Sequence, residues 1–214
     1  MNVIKPYRFM SKQEIEQVAL DILNRVQANR KRPLKGNCVA EAVADYLDIG
    51  IVWETIVPDR EGYIAAMILP IQRKIIINDQ IPALEGGFGQ STIGHEIGHW
   101  LLHIEHHALD VFKERMSSEL IMTVEPFLCR SVTAKKGIEW QAQYLASCLL
   151  MPLYKLEEAR RGRDFTKWRH LYAVADELGV TISNLTNRLQ SLGWIYIPKA
   201  SKQIYQGNNF SKIS

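Results

Sequence analysis

The sequence predicts an α+β fold that is mainly helical, with a small antiparallel β-sheet packed on one central helix. Three observations carry this expectation. Apolar residues recur at helical spacing from residue 15 to 47 and again beyond residue 138. Short β-rich runs bounded by Pro, Asp and Gly fill residues 51 to 78. Between these regions His95-Glu-Ile-Gly-His99 interrupts an otherwise apolar helical stretch, and residues four apart on a helix share a face.

The first helix starts after Ser11, a plausible N-cap with Glu14 at the third helical position, and continues through Ile15, Val18, Ala19, Ile22, Leu23 and Val26. Pro33 and Gly36 separate it from a second helix marked by Val39, Ala40, Val43, Ala44 and Leu47. Three strands are expected at Ile51–Val57, Tyr63–Leu69 and Lys74–Asn78. Gly86, Gly87 and Gly89 lead to Ser91 and Thr92, either of whose hydroxyls is placed to cap the next helix. Residues 104–138 are the least readable stretch, with Leu109, Val111, Phe112, Met116 and Leu120 compatible with one more helix. A helix from about 138 to 150 then ends before Pro152.

The chemistry concentrates in the first of these later helices. His95 and His99 can point two imidazoles at one metal ion, and Glu96 sits one step round the helix, able to reach a water there without being a ligand. That is the arrangement of a zinc hydrolase. Gly98 costs about 1 kcal/mol relative to alanine within a helix, so its presence implies that another element approaches the backbone closely.

A catalytic zinc usually takes three protein ligands, so a third must come from elsewhere. Glu139 is the best placed, because Ala142, Gln143, Ala146 and Leu150 share its face and are mostly small enough to let two helices meet. Two alternatives stay open. Glu139 can simply be a favourable charge near a helix N-terminus, and Cys148 is a rival ligand in principle, although it falls on the opposite face and suits core packing. Five of the six histidines lie between 95 and 107. His103 is about 12 Å along the axis from His95, too far to share its ion, which leaves it a supporting role beside the site. His106 and His107 look like exposed residues at the helix end.

With 214 residues, of which 47% are hydrophobic, the chain is long enough for one sizeable core. A net charge of +3 is too small to imply nucleic-acid binding by bulk electrostatics. The basic runs Asn29–Lys35 and Arg160–Arg163 read as solvated loops or helix ends. Three widely spaced cysteines, Cys38, Cys129 and Cys148, argue against a disulfide framework, and no segment looks like a signal peptide or a membrane span. The expectation is a soluble cytoplasmic protein.

The pair of motifs His95-Glu-Ile-Gly-His-Trp-Leu-Leu-His103 and Glu139-Trp-Gln-Ala-Gln-Tyr-Leu-Ala-Ser-Cys-Leu-Leu-Met-Pro152 resembles the ImmA/IrrE family of metallopeptidases. Glu139, Ala142, Ala146 and the closing Leu149–Pro152 match that family's second motif, while Gln143 stands for its Asn and Leu145 for its Phe. The resemblance implies a zincin-like core of gluzincin type, Zn2+ held by His95, His99 and Glu139, and Glu96 as general base. It also implies a repressor-type transcription regulator as the protein substrate, in a stress-response setting. On this view residues 1–197 form a single metallopeptidase-like domain and 198–214 a polar, loosely held tail.

Residues 165–193 add a second possibility. Leu171, Val174, Ala175 and Leu178, then Gly179, then Leu185, Leu189 and Leu192 have the spacing of a helix-turn-helix, with Ala175 and Gly179 at a tight crossing. The expected exposed set of its second helix, Asn184, Asn187, Arg188 and Gln190, carries one positive charge, which favours packing over direct DNA contact. The alternative function is a DNA- or partner-binding regulator with a structural or vestigial metal site. For the group stabilising a reaction oxyanion, His170, Tyr172 and Tyr144 all remain open.

Overall fold

The extended N-terminal segment ends at Ser11, whose hydroxyl accepts from the Glu14 backbone N–H at 3.2 Å, while the Ser11 N–H donates to the Glu14 carboxylate at 2.7 Å. This reciprocal cap starts helix α1 (Lys12–Ala28), which buries Ile15, Ala19, Ile22, Leu23 and Val26 as the spacing predicts. The computed structural model describes residues 3–58, 62–81, 86–116, 127–128 and 135–208. Within them the fold is mixed α+β and mostly helical, with a small sheet.

A short 3-10 turn (Gly36–Cys38) leads into α2 (Val39–Tyr46). Strands β1 (Gly50–Glu54), β2 (Ala66–Leu69), β3 (Lys74–Asn78) and β4 (Phe127–Leu128) form a sheet in the order β1-β3-β2-β4. The sheet is mixed rather than wholly antiparallel. β2 pairs antiparallel with β3 and β4, but β1 runs parallel to β3, with Ile51 opposite Ile75. β3, whose Ile75 and Ile77 are fully buried, takes a central place, and the more exposed β1 becomes an edge.

β1 and β2, the two strands that flank β3, are both shorter than expected for a local reason. The buried Asn78 amide donates to the carbonyls of Ile56 and Ile64, at 3.2 and 2.8 Å, so these backbone groups are satisfied by a side chain instead of a longer ladder.

Helix α3 (Gly87–His103) lies at the centre and packs on β2, α2 and α5. Its start differs from expectation. Gly86 with φ 70° is the N-cap and no side chain caps it; Ser91 and Thr92 lie inside the helix, where the Thr92 hydroxyl donates to the Phe88 carbonyl at 3.0 Å. An isolated bridge pairs Ile4 with Ile104, so the N-terminal segment runs beside the end of α3. Helix α4 (His106–Met116) follows, within the stretch compatible with one more helix; Leu120 and Cys129 lie outside the described residues.

Helix α5 (Lys135–Leu150) crosses α3, and α6 (Leu153–Arg160), α7 (Trp168–Leu178) and α8 (Ile182–Ser191) complete the helical part. The α7–α8 pair exists as expected, with Ala175 and Leu185 buried, but Gly179 serves a different crossing. Its φ of 65° closes α7, and a Cβ there would lie 2.6 Å from the Asn37 backbone, so the turn is pressed against the 3-10 turn before α2. The polar stretch after Pro198 is partly ordered: β6 (Tyr205–Gln206) pairs antiparallel with β5 (Ile195–Tyr196), and Ile204 is buried. Among the described residues no helix is long and apolar enough to cross a membrane.

Candidate metal centre

Two helices build the site. On α3, the i, i+4 spacing brings His95 and His99 together with their Nε2 atoms 3.0 Å apart. Across from them α5 presents Glu139, whose Oε2 lies 3.1 Å from His95 Nε2 and 3.6 Å from His99 Nε2. The approach depends on the small residues noted in the sequence. A Cβ on Gly98 would stand 2.7 Å from the Ala142 carbonyl oxygen, and one on Gly94 would stand 3.3 Å from the Ala146 methyl. Among the described residues this trio is the group that can hold a metal ion, its ligand atoms lying within 4.8 Å of one another. Cys148 is buried in the core on the far side, as its place on the helix predicts.

Burial and mutual contact set the protonation of the trio. Burial opposes a charged His95, yet Glu139 together with Glu96 and Gln143 outweighs it and holds the imidazole's pKa above its usual value. For His99 burial wins over its contact with Glu139, and the pKa falls to about 4. Burial alone would raise Glu139, but hydrogen bonds and charge from both histidines lower it to about 2. The site is therefore an ionised carboxylate beside a neutral His99 and a His95 that holds its proton to higher pH than an ordinary imidazole.

Glu96 is fully buried from bulk solvent and lies in the wall of a cavity of about 230 Å³, beside Ala65, Phe88, Thr92, His95 and Gln143. Ser91, Gln143 and Asn184 line both this cavity and a neighbouring one of about 280 Å³ between α5 and α8. The Asn184 amide donates to the Ser91 hydroxyl, joining α8 to α3 at the junction of the two. The arrangement offers a carboxylate next to a candidate metal position, facing a cleft open to a small or extended ligand.

Three further residues, of which only Gln141 went unremarked in the sequence, shape the surroundings. His103 Nδ1 lies 3.1 Å from His99 Nδ1, and its Nε2 lies 3.0 Å from Gln141 Oε1. His103 thus has the supporting place expected of it, whereas a buried Gln141 carries no signal that separates it from a solvated one. Arg188 is 1% exposed rather than solvent-facing, with its guanidinium 2.8 Å from Glu16 and 3.1 Å from the Tyr144 hydroxyl. A signal for this did exist, since Arg188 falls on the helical stripe of Leu185, Leu189 and Leu192.

Of the oxyanion candidates, His170 is engaged with the Asp164 backbone, Tyr172 is exposed, and Tyr144 is held by Glu16 and Arg188. None of them lines the cavity beside Glu96; Gln143 and Asn184 do. His107 is exposed and His106 meets Trp100 edge-on, with ring centroids 4.9 Å apart. Comparison with protein-family models and with curated proteins gives no match for this chain.

Proposed function

We propose that this chain is a zinc-dependent metalloendopeptidase whose substrate is a repressor-type transcription regulator. The observation that carries the reading is the convergence of His95 Nε2, His99 Nε2 and Glu139 Oε2 beside a cleft that also holds Glu96. Ligands at about 2.0–2.1 Å on tetrahedral directions are separated by about 3.3–3.4 Å, and the three separations here are 3.0, 3.1 and 3.6 Å. The donor set, two imidazoles and a carboxylate with room left on the cleft side, suits a catalytic rather than a closed structural zinc site. Zinc bound there supplies Lewis acidity, acidifying a water molecule and polarising a scissile carbonyl.

The chain's own residues supply the rest. Glu96 accepts the proton of the attacking water and returns it to the leaving amine nitrogen. The walls shared by the two adjoining cavities, with amides at Gln143 and Asn184, suit the backbone of an extended polypeptide. The repressor class rests on the resemblance of the two motifs to the ImmA/IrrE family.

The competing reading, a DNA-binding regulator, loses its main support at Arg188. With that side chain buried, the second helix of the α7–α8 pair has no exposed cation for phosphate contact. The deciding experiment incubates the protein with zinc and candidate repressors and reads cleavage by mass spectrometry. A single cut is expected from the wild type, and none from Glu96→Gln, which keeps its zinc. Cleavage surviving that substitution, or duplex DNA binding with a steep salt dependence in place of cleavage, counts against the proposal.

A further inference from the structure

A line of buried polar groups leads away from His99. His99 Nδ1 meets His103 Nδ1 at 3.1 Å, His103 Nε2 meets Gln141 Oε1 at 3.0 Å, and the Gln141 amide donates to the Arg8 carbonyl at 2.8 Å. His99, His103 and Gln141 are at most 5% exposed, so none of these contacts has water as an easy substitute.

The far end of the line has a fixed sense. A backbone carbonyl has no proton and can only accept, so the Gln141 NH2 must face Arg8 and its Oε1 must face His103. An amide oxygen also only accepts, so the proton of neutral His103 sits on Nε2 and its Nδ1 is bare. His99 must then donate from Nδ1, which leaves Nε2, the atom turned toward His95 and Glu139, unprotonated and able to act as an acceptor. Reversing the line would set two acceptors face to face at about 3 Å, or put a charge on a buried imidazole with no carboxylate in the line to balance it.

The origin of the line is itself held in place. The Lys5 N–H donates to the His103 carbonyl at 2.8 Å and the Glu105 N–H donates to the Val3 carbonyl at 2.9 Å, so residues 3–8 are strapped along the C-terminal end of α3.

We propose that the Arg8 carbonyl, acting through Gln141 and His103, fixes the tautomer of His99 and so presents its Nε2 lone pair for metal binding. Gln141 and His103 are then positioning residues of the candidate metal centre, and the N-terminal strap belongs to that centre. The purpose assigned to the line rests on the hydrolase reading, but its proton pattern does not.

Two-bond proton–nitrogen NMR correlation on histidine-labelled protein, first metal-free in the presence of a chelator and then zinc-loaded, reads the tautomers directly. His99 is expected to carry its proton on Nδ1 and His103 on Nε2 in both states. Gln141→Met, nearly the same length but unable to hydrogen-bond at either end, is expected to weaken zinc binding by roughly 10–100-fold and to leave His99 in mixed tautomers. Nε2-protonated His99 in the metal-free wild type overturns the inference, as does a folded Gln141→Met protein with unchanged zinc affinity and unchanged tautomer. A wild type that takes up no zinc, yet holds His99 protonated on Nδ1, sinks the hydrolase reading and leaves the relay standing. The wild-type spectrum decides the proton pattern even if the variant fails to fold.

Discussion

Among the three candidate ligands, the proton to be displaced by a metal sits on one particular residue. Glu139, lowered to about 2, is ionised at any physiological pH, and His99, lowered to about 4, is already neutral. His95 differs: with burial outweighed by Glu139, Glu96 and Gln143, it keeps its proton to a pH above the ordinary 6.5. A metal must therefore expel one proton, and that proton comes from His95. Calorimetry at pH 6 in buffers of different ionisation heat should find about one proton released per zinc bound, with affinity falling about tenfold for each pH unit of acidification below the His95 pKa. Release of two protons at pH 6 would mean that His99 is not held neutral. These three residues and Glu96 were legible in the sequence because their chemistry needs short spacing on one helix and a small-residue face on the other. Gln141 was not, since what makes it matter is a carbonyl 133 positions away.

Helix α8 shows what sequence spacing can and cannot resolve at the level of elements. The periodicity locates both helices of the α7–α8 pair, yet their role depends on what they pack against, and that is set by distant parts of the chain. Gly179 meets the turn before α2, Asn184 bonds Ser91 on α3, and Arg188 reaches Glu16 on α1 and Tyr144 on α5. Strand order has the same limit: alternation identifies β1, β2 and β3 but does not say that β3 will insert between the other two. The energetic weight of the α8 tether is testable. Arg188→Met leaves Glu16, 27% exposed, without its guanidinium, and a broken buried pair of this kind costs about 3 kcal/mol, the low end of its range because Glu16 keeps some water. Removing both partners in Arg188→Met/Glu16→Leu should cost less than Arg188→Met alone. Denaturant titration of the three variants measures the difference, and equal losses from the single and the double substitution would show that the ion pair does not tether α8.

For the molecule as a whole, buried histidines tie folding to pH. His99, His103 and His106 all have lowered pKa values, with burial as the leading cause in each. Below 6.5 their unfolded counterparts bind protons that the folded chain refuses, so stability falls as the pH drops from 6.5 through the folded values, about 4 for His99. His95 has the opposite sign: its raised pKa contributes stability that is present below 6.5 and lost as pH rises through the folded value. Three groups of one sign against one of the other leave the acid limb dominant, and the metal-free protein should melt at a lower temperature at pH 5 than at pH 7. Zinc acts on the other limb. A ligand that binds only the folded chain adds about 2.7 kcal/mol at a hundred times its Kd, which for a chain of this size raises Tm by roughly 5–10 °C. Because zinc and the His95 proton compete, a fixed zinc concentration should raise Tm more at pH 8 than at pH 6. Thermal melts at pH 5, 6, 7 and 8, with chelator and with zinc, test both limbs together. A metal-free Tm that rises between pH 7 and pH 5 would mean that His99, His103 and His106 are not held neutral by burial, and a zinc-induced shift that is larger at pH 6 than at pH 8 would mean that His95 does not yield its proton to the metal.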